Sequence, residues 1–259
     1  MEYTNIKLEK ENRVATIWLN RPDALNALSP ELIAELTDAV ADVGADGSVK
    51  ALVIRGEGRA FCAGADLAYF QTTLADLTLL PPYLAQVSDL LNRIESLPVP
   101  VIAVVHGFAL AGGLELMMAC DMALVADDAR IGDQHVNFGL IPGGGSTQRL
   151  PRRVGLQRAM ELLTTGKWLS GTEAVEWGLA LRSAPVEGLD EELEKILGPL
   201  RTKSREGLAL IKATTLRGMG MSLEDGVALE SRTFAQYLTT SPHPAEGIKA
   251  FIEKRTPEF

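Results

Sequence analysis

A glutamate lies inside an almost wholly apolar segment, GFALAGGLELMMACD, at residues 107–121. Gly112 and Gly113 precede Glu115 at the point where a loop is expected to enter a helix. Glycine has no side chain, so a ligand oxygen can approach the unpaired N–H groups of the first helical turn. The helix dipole lowers the pKa of a first-turn acid, and apolar neighbours raise it. Glu115 is therefore a candidate general base, or an acid that only supports the start of a helix.

A second loop has a related pattern. The segment AFCAGADL, residues 60–67, follows the apolar run KALVIR, as HGFALAGG follows VIAVV. If both runs are neighbouring strands of a parallel sheet, their loops emerge at the same edge. Main-chain N–H groups of the two loops can then converge on one oxygen. Two such donors form an oxyanion hole, which stabilises an enolate or a tetrahedral oxyanion.

The elements that must position these loops alternate in type. Short β-branched runs alternate with helix-length segments, which predicts an α/β fold. Ser29 as N-cap and Pro30 in the first turn predict one helix start, and a further helix is expected over 83–97. The predicted strands are 14–19, 50–55, 101–105 and 122–126. Long helices are predicted near 203–218, 222–239 and 244–255, so we divide the chain into a core, 1–200, and a helical region, 201–259.

Composition limits the partners. The 259 residues carry a formal charge of −9, which disfavours nucleic acid. The apolar stretch 97–126 is interrupted by prolines, glycines and charges, so a buried strand, a glycine turn and a buried helix explain it better than a membrane span. Cys62 and Cys120 form no metal pattern and are expected to be buried thiols in a reducing compartment. The charged start lacks a secretory signal, and we expect a cytoplasmic protein.

Five segments together resemble the crotonase superfamily, the enoyl-CoA hydratase/isomerase family. They are RPDALNALS (21–29), AFCAGADL (60–67), HGFALAGGLELMMACD (106–121), IPGGGSTQRLPRRVG (141–155) and TEAVEWGLA (172–180). The segments occur in family order, and the similarity covers about residues 1–185. The resemblance implies a crotonase-like spiral of ββα units with a C-terminal helical trimerisation region. It also implies an acyl-CoA substrate and a homotrimer or hexamer. The resemblance implies no metal or redox cofactor. Coenzyme A enters only as part of the substrate thioester.

The resemblance also implies roles for individual residues. Ala65 and Gly112 match the two main-chain donors of the family's oxyanion hole, and Glu115 matches the first catalytic glutamate. The positions that match CoA-binding residues are Asp23, Ala24, Leu25, Ala63, Phe251 and Lys254. The last two lie on the final helix, which in the family often reaches the CoA of a neighbouring subunit. A solvated surface charge is the alternative for Lys254.

One position departs from the family pattern. His135 stands where hydratases have a second glutamate, within IGDQHVN. His135 can donate a proton to the substrate in a hydratase, only orient an isomerase substrate, or help Glu115 activate water in a thioester or β-diketone hydrolase. It can also be a loop histidine bonded to Asp133 without catalytic duty. We expect Asp133, two residues earlier, to be a poor orienting partner for His135. A silent acyl-CoA binder is the further alternative.

The glycine run 143–145 is followed by Ser146 and lacks the lysine of a phosphate-binding P-loop. We expect a tight turn, capped by Ser146 at a helix start, that walls the acyl pocket.

Overall fold

The computed structural model describes residues 3–259 and contains a six-stranded sheet. The strands of this part of the chain are β1 (Ile6–Glu11), β2 (Val14–Leu19), β3 (Ala51–Gly56), β4 (Val101–Val105), β5 (Phe108–Leu110), β6 (Met122–Ala126), β7 (Arg130–Gly132) and β8 (Arg182–Ala184). The six-stranded sheet has the order β1-β2-β3-β4-β6-β8, and a separate parallel pair joins β5 to β7. In the larger sheet β1 runs antiparallel to β2, and the other neighbouring strands pair in parallel.

Eleven α-helices occur within residues 3–259, and most of them cover the sheet or extend from it. They are α1 (Pro30–Ala45), α2 (Leu67–Ala75), α3 (Leu80–Ser96), α4 (Gly112–Ala119), α5 (Ser146–Val154), α6 (Leu156–Thr165), α7 (Gly171–Glu176), α8 (Leu189–Leu200), α9 (Arg205–Gly218), α10 (Leu223–Thr240) and α11 (His243–Glu253). Four short 3₁₀ turns complete this part of the chain: Pro22–Ala24, Leu77–Leu79, His135–Phe138 and Val186–Gly188.

The buried strands were predicted well because their β-branched runs are short and bounded. Strands β2, β4 and β6 have the predicted bounds, and β3 is shifted by one residue. The Ser29 hydroxyl accepts from the Leu32 N–H and caps α1, as predicted. Helix α3 begins at Leu80, earlier than expected, because prolines are tolerated in the first turn, where N–H groups have no helical acceptor.

Strand β1 was not predicted. It lies at the sheet edge and buries Ile6, whereas most of its other residues are charged and exposed. A charged edge strand is protected from pairing with another chain, but its sequence differs little from that of a solvated tail.

Neighbouring strands β3 and β4 confirm the assumption behind the two-loop prediction. They pair in parallel, with Val53 opposite Ile102, so the loops that follow them leave the same sheet edge. The stretch 97–126 forms β4, β5, α4 and β6. Within residues 3–259, no helix is long and apolar enough to cross a membrane.

Charged side chains anchor the C-terminal helices to the sheet. Lys212 of α9 is 8% exposed and pairs with Asp121 over 2.7 Å. Arg205, at the start of the same helix, donates to the carbonyl oxygens of Gly44 and Val49. These contacts fix α9 against the core, and α10 packs on α9. The division of the chain at residue 200 stays a prediction.

Candidate active site

The loops after β3 and β4 are joined by main-chain hydrogen bonds. Cys62 donates to the Phe108 carbonyl over 2.9 Å, and the Cys62 carbonyl accepts from Leu110 over 3.1 Å. Gly113 completes this contact from the first turn of α4. A Cβ atom at Gly113 would lie 2.0 Å from the Cys62 carbonyl oxygen, so only glycine fits there. The two loops therefore lie in direct main-chain contact.

This contact brings Ala65 and Gly112 together. The residues that flank Ala65 pair with Leu28: Gly64 accepts from it over 2.8 Å, and Asp66 donates to it over 3.2 Å. The Ala65 N–H itself has no hydrogen-bond partner among residues 3–259. Gly112 is the first residue of α4, where an N–H has no helical acceptor. A Cβ atom at Gly112 would lie 3.5 Å from the Ala65 nitrogen, so the two predicted donors are neighbours.

Ala111 holds the entry to α4 in a rare backbone conformation. Its φ is 49° and its ψ is −115°, which an alanine adopts only under strain. The Ala111 N–H donates to the Gly132 carbonyl of β7 over 3.0 Å. The residue immediately before the predicted donor Gly112 is therefore strained and fixed. Sequence reasoning did not identify Ala111, because strain at an alanine leaves no signal in composition or spacing.

Glu115 is buried, with 2% of its surface exposed. One carboxylate oxygen, Oε1, accepts from the N–H groups of Gly144 over 2.9 Å and Ser146 over 3.0 Å. Burial raises the pKa of the Glu115 carboxyl, although the bond from Ser146 and the charge of His135 act in the opposite direction. A carboxyl in this environment is suited to accept a proton near neutral pH.

Ser146 does not cap α5, contrary to the prediction. The N-cap is Gly145, with φ 109°, and it makes no side-chain cap bond. The glycine turn instead aims main-chain N–H groups at Glu115, which satisfies two donors near the helix start. The Ser146 hydroxyl is buried and has no hydrogen-bond partner within residues 3–259.

His135 begins the 3₁₀ turn His135–Phe138, and its side chain is 14% exposed. Its Nδ1 lies 2.9 Å from Asp133 Oδ1, and its N–H donates to the same oxygen over 3.3 Å. The expectation that Asp133 is a poor orienting partner was wrong, because residues two apart already lie on the same face of an extended segment, and the turn that begins at His135 keeps the two side chains in contact. Burial opposes the charged imidazole, yet the bond to Asp133 and the charges of Asp133 and Glu115 raise the pKa of His135.

The first group of predicted CoA residues lies beside the loop that carries Ala65. Asp23 and Ala24 are exposed in the turn Pro22–Ala24, and Leu25 follows with φ 50°. The Leu25 carbonyl accepts from the Ala63 N–H over 3.0 Å. These four predicted residues are thus brought together along one edge of the candidate active site.

Asn26 fixes this edge, although sequence reasoning did not single it out. It is wholly buried, and its Oδ1 accepts from the Arg21 N–H over 2.8 Å. Its Nδ2 donates to the carbonyls of Glu57 and Ala60 over 2.9 Å and 2.8 Å. Its φ is 57°, a conformation in which asparagine is enriched. The sequence feature that could have identified Asn26 is an asparagine between apolar residues, followed by the helix cap Ser29.

The second group of predicted CoA residues lies on α11 and directly after it. Phe251 is 84% exposed on α11, and Lys254 follows that helix as an exposed residue with φ 56°. Among residues 3–259, no ion pair or hydrogen bond joins the Lys254 side chain to the candidate site. Their role in CoA binding stays a prediction.

Comparison with known proteins gives a consistent result. The sequence profile of the enoyl-CoA hydratase/isomerase family matches residues 9–259. A crotonyl-CoA hydratase of Syntrophomonas wolfei is 39% identical over 260 residues, covering 100% of this chain and 99% of that protein. A probable enoyl-CoA hydratase of Bacillus subtilis is 39% identical over 257 residues, covering 98% of each chain.

A solved structure agrees with this chain over nearly its whole length. The crystal structure of enoyl-CoA hydratase from Bacillus anthracis superposes with a TM-score of 0.94 and 33% identity, covering 99% of each chain. This agreement confirms the predicted crotonase-like α/β fold, while trimerisation stays a prediction. The family profile, the relatives and the fold lead to one conclusion: this chain belongs to the enoyl-CoA hydratase/isomerase family.

Proposed function

We propose that the protein adds water to a 2-enoyl-CoA thioester. The thioester oxygen accepts hydrogen bonds from the N–H groups of Ala65 and Gly112. These donors stabilise the negative charge that develops on the oxygen as an enolate forms. The proximity of the Gly112 Cβ position to the Ala65 nitrogen, 3.5 Å, supports this role.

Glu115 is the general base of the proposed reaction, and His135 is the acid. Glu115 takes a proton from water as the water oxygen bonds to Cβ, and the electron pair of the double bond moves onto the thioester. His135 then donates its Nε2 proton to Cα, which gives the 3-hydroxyacyl-CoA product. The proton held by Glu115 restores the charged imidazole, directly or through solvent. Both groups return to their starting states without net gain or loss of protons.

The burial of Glu115 is the observation that carries this proposal. A carboxylate that is 2% exposed is costly unless it is bonded, and two main-chain N–H groups bind only its Oε1. Oε2 stays available for water. The charge of Glu115 also acts on His135, so the proposed base and acid lie within electrostatic reach of each other.

Hydration of crotonyl-CoA tests the proposal. The wild-type protein should cause a loss of the enoyl absorbance. The rate of this loss should be at least about 100-fold lower in Glu115→Gln. Glu9→Gln, at an exposed position of β1, is the matched control and should retain full activity. Undiminished hydration by Glu115→Gln would refute the role of Glu115. Tight acyl-CoA binding without turnover by the wild-type protein would support a silent binder.

A hydrolase is the second candidate, because a histidine bonded to an aspartate also suits the activation of water against an acyl carbon. A thiol reagent distinguishes the two reactions. Hydrolysis of a thioester releases free CoA, whereas hydration leaves the thioester intact. We expect a hydrated product and no thiol.

We further propose that Asp23, Ala24, Leu25 and Ala63 line the CoA site of their own subunit. Phe251 and Lys254 would then contact the CoA of a neighbouring subunit in a homotrimer or hexamer. We propose that this assembly works in the cytoplasm. The exposure of both α11 residues supports this arrangement. Light scattering gives the mass of the assembly. Lys254→Ala should raise the KM for acyl-CoA severalfold without changing kcat, and an unchanged KM would remove Lys254 from the site.

A further inference from the structure

We propose that Asp133 is a positioning residue, which holds the His135 ring so that Nε2 faces the substrate and Nδ1 carries a fixed proton. The proposal rests on the function proposed above and deepens it. His135 occupies a position where the family pattern has a glutamate, so the negative charge of that glutamate is missing here. Asp133, two residues earlier, supplies a negative charge beside the histidine.

One carboxylate oxygen of Asp133 contacts His135 at two points. Asp133 Oδ1 accepts from the His135 main-chain N–H over 3.3 Å and lies 2.9 Å from Nδ1 of the same residue. One oxygen therefore fixes both the start of the 3₁₀ turn and the plane of the ring. A carboxylate only accepts hydrogen bonds, so Nδ1 carries a hydrogen. Nε2 has no hydrogen bond within residues 3–259 and is the nitrogen left to meet a substrate.

The Asp133 side chain is buried and bonds to His135. Asp133 is 0% exposed, and its Oδ2 is buried without a hydrogen-bond partner among the described residues. A buried aspartate that only stabilised the fold would use both oxygens, because an unpartnered buried oxygen is costly. Every hydrogen bond that the Asp133 side chain makes within the described part of the chain goes to His135.

The main chain just before Asp133 is held from two sides. Asp133 directly follows Gly132, the last residue of β7, and the Gly132 carbonyl accepts from the Ala111 N–H over 3.0 Å. A Cβ atom at Gly132 would lie 2.6 Å from the Lys167 carbonyl oxygen, so the backbone is held closely on that side too. The same strand end therefore positions Asp133 and the entry to α4, which carries Gly112 and Glu115.

The charges around His135 agree with this role. Asp133 Oδ1 lies 2.9 Å from the ring within the same segment, and the charge of Glu115, on α4, also acts on the ring. Gln134, just before the turn, and Asn137, within it, are uncharged, and the Asn137 amide donates to the Gln134 side-chain oxygen. Both carboxylates favour the imidazolium, the form that can donate a proton from Nε2.

A set of variants tests the inference by crotonyl-CoA hydration across pH. Asp133→Asn keeps the shape and an accepting oxygen but removes the charge. We expect its kcat to fall about 10–100-fold with little change in KM. The alkaline limb of its pH–activity profile should move to lower pH. Asp128→Asn, at an exposed position five residues earlier, is the matched control and should behave as wild type.

The double variant separates positioning from a structural role. His135→Ala should lose about 100-fold or more in kcat, and adding Asp133→Asn should cost no further activity, because Asp133 acts only through His135. Additive losses, or a wild-type pH profile in Asp133→Asn, would overturn the inference. If His135→Ala keeps full activity, His135 is not the acid, and it is the proposed function that is refuted.

A spectroscopic measurement needs no variant and covers the case in which Asp133→Asn does not fold. The chain has three histidines, so ¹⁵N-histidine NMR of the wild-type protein can resolve each ring. His135 should be neutral at high pH as the Nδ1–H tautomer. An Nε2–H tautomer would contradict the positioning by Asp133.

Discussion

The main-chain N–H of Ala111 donates to the carbonyl oxygen of Gly132 over 3.0 Å, and this bond joins the two halves of the candidate active site. Ala111 precedes Gly112, a proposed oxyanion donor. Gly132 precedes Asp133, which orients His135. The positions of the oxyanion hole and the proposed acid are therefore coupled through one pair of main-chain groups.

The strain at Ala111 predicts a stabilising substitution. Relief of an unfavourable backbone conformation is worth about 1–3 kcal/mol. The added freedom of glycine in the unfolded chain costs about 0.4–1 kcal/mol. Ala111→Gly should therefore increase the free energy of unfolding by about 0.5–2 kcal/mol, measured by urea denaturation.

Ala34→Gly is the matched control for Ala111→Gly. Ala34 is exposed inside α1, where glycine should cost about 0.5–1 kcal/mol. Equal losses in the two variants would show that Ala111 is not strained.

The contact of Gly113 with Cys62 predicts a damaging substitution. A Cβ atom at Gly113 would lie 2.0 Å from the Cys62 carbonyl oxygen, so Gly113→Ala must separate the loops that carry Ala65 and Gly112. We expect a loss of about 1–3 kcal/mol in stability. Displacement of the donors should also lower kcat/KM by roughly 100-fold. Gly47→Ala, which meets no atom within 4 Å, should change neither quantity.

The buried carboxylate of Glu115 should lower the free energy of unfolding at neutral pH. Burial raises its pKa, so the folded carboxyl holds a proton at pH values where the unfolded carboxyl has lost it. Folding then takes up a proton, and stability decreases as pH rises from the ordinary value of 4.5 through the raised pKa. Glu115→Gln keeps an acceptor for Gly144 and Ser146 but does not titrate.

The gain in stability of Glu115→Gln over wild type should therefore grow between about pH 4 and pH 8. We expect a gain on the order of 1 kcal/mol at the upper end, or about 2–4 °C in Tm. Scanning calorimetry at both pH values measures it. A gain that shrinks as pH rises would show that the pKa of Glu115 is lowered in the folded protein.

The pH dependence of kcat/KM should be bell-shaped. Activity requires Glu115 without a proton and His135 with one, and both pKa values are raised. The acid limb should lie above 4.5 and the alkaline limb above 6.5, the ordinary values of the two groups. The two limbs belong to the coupled pair. An alkaline limb below 6.5 would exclude charged His135 as the acid.

The fold was largely predictable because its buried strands and long helices have strong periodic patterns. Two glycine-bearing loops predicted converging main-chain donors on the assumption that β3 and β4 pair in parallel, and the family resemblance named Ala65 and Gly112; the structure shows the parallel pairing and places the two residues side by side. Asp133 was misjudged because its side chain was assigned to the face opposite His135, whereas residues two apart share a face in an extended segment, and the observed turn also brings them into contact. Asn26 and Ala111 were missed because their importance depends on main-chain contacts with segments distant in sequence.

A crystal structure with a bound acyl-CoA substrate analogue tests the central claim most directly. The thioester oxygen should lie about 3 Å from the main-chain nitrogens of both Ala65 and Gly112. Glu115 Oε2 and His135 Nε2 should then face Cβ and Cα of the acyl group. A thioester oxygen bonded elsewhere, with either nitrogen out of hydrogen-bond range, would contradict the proposed site.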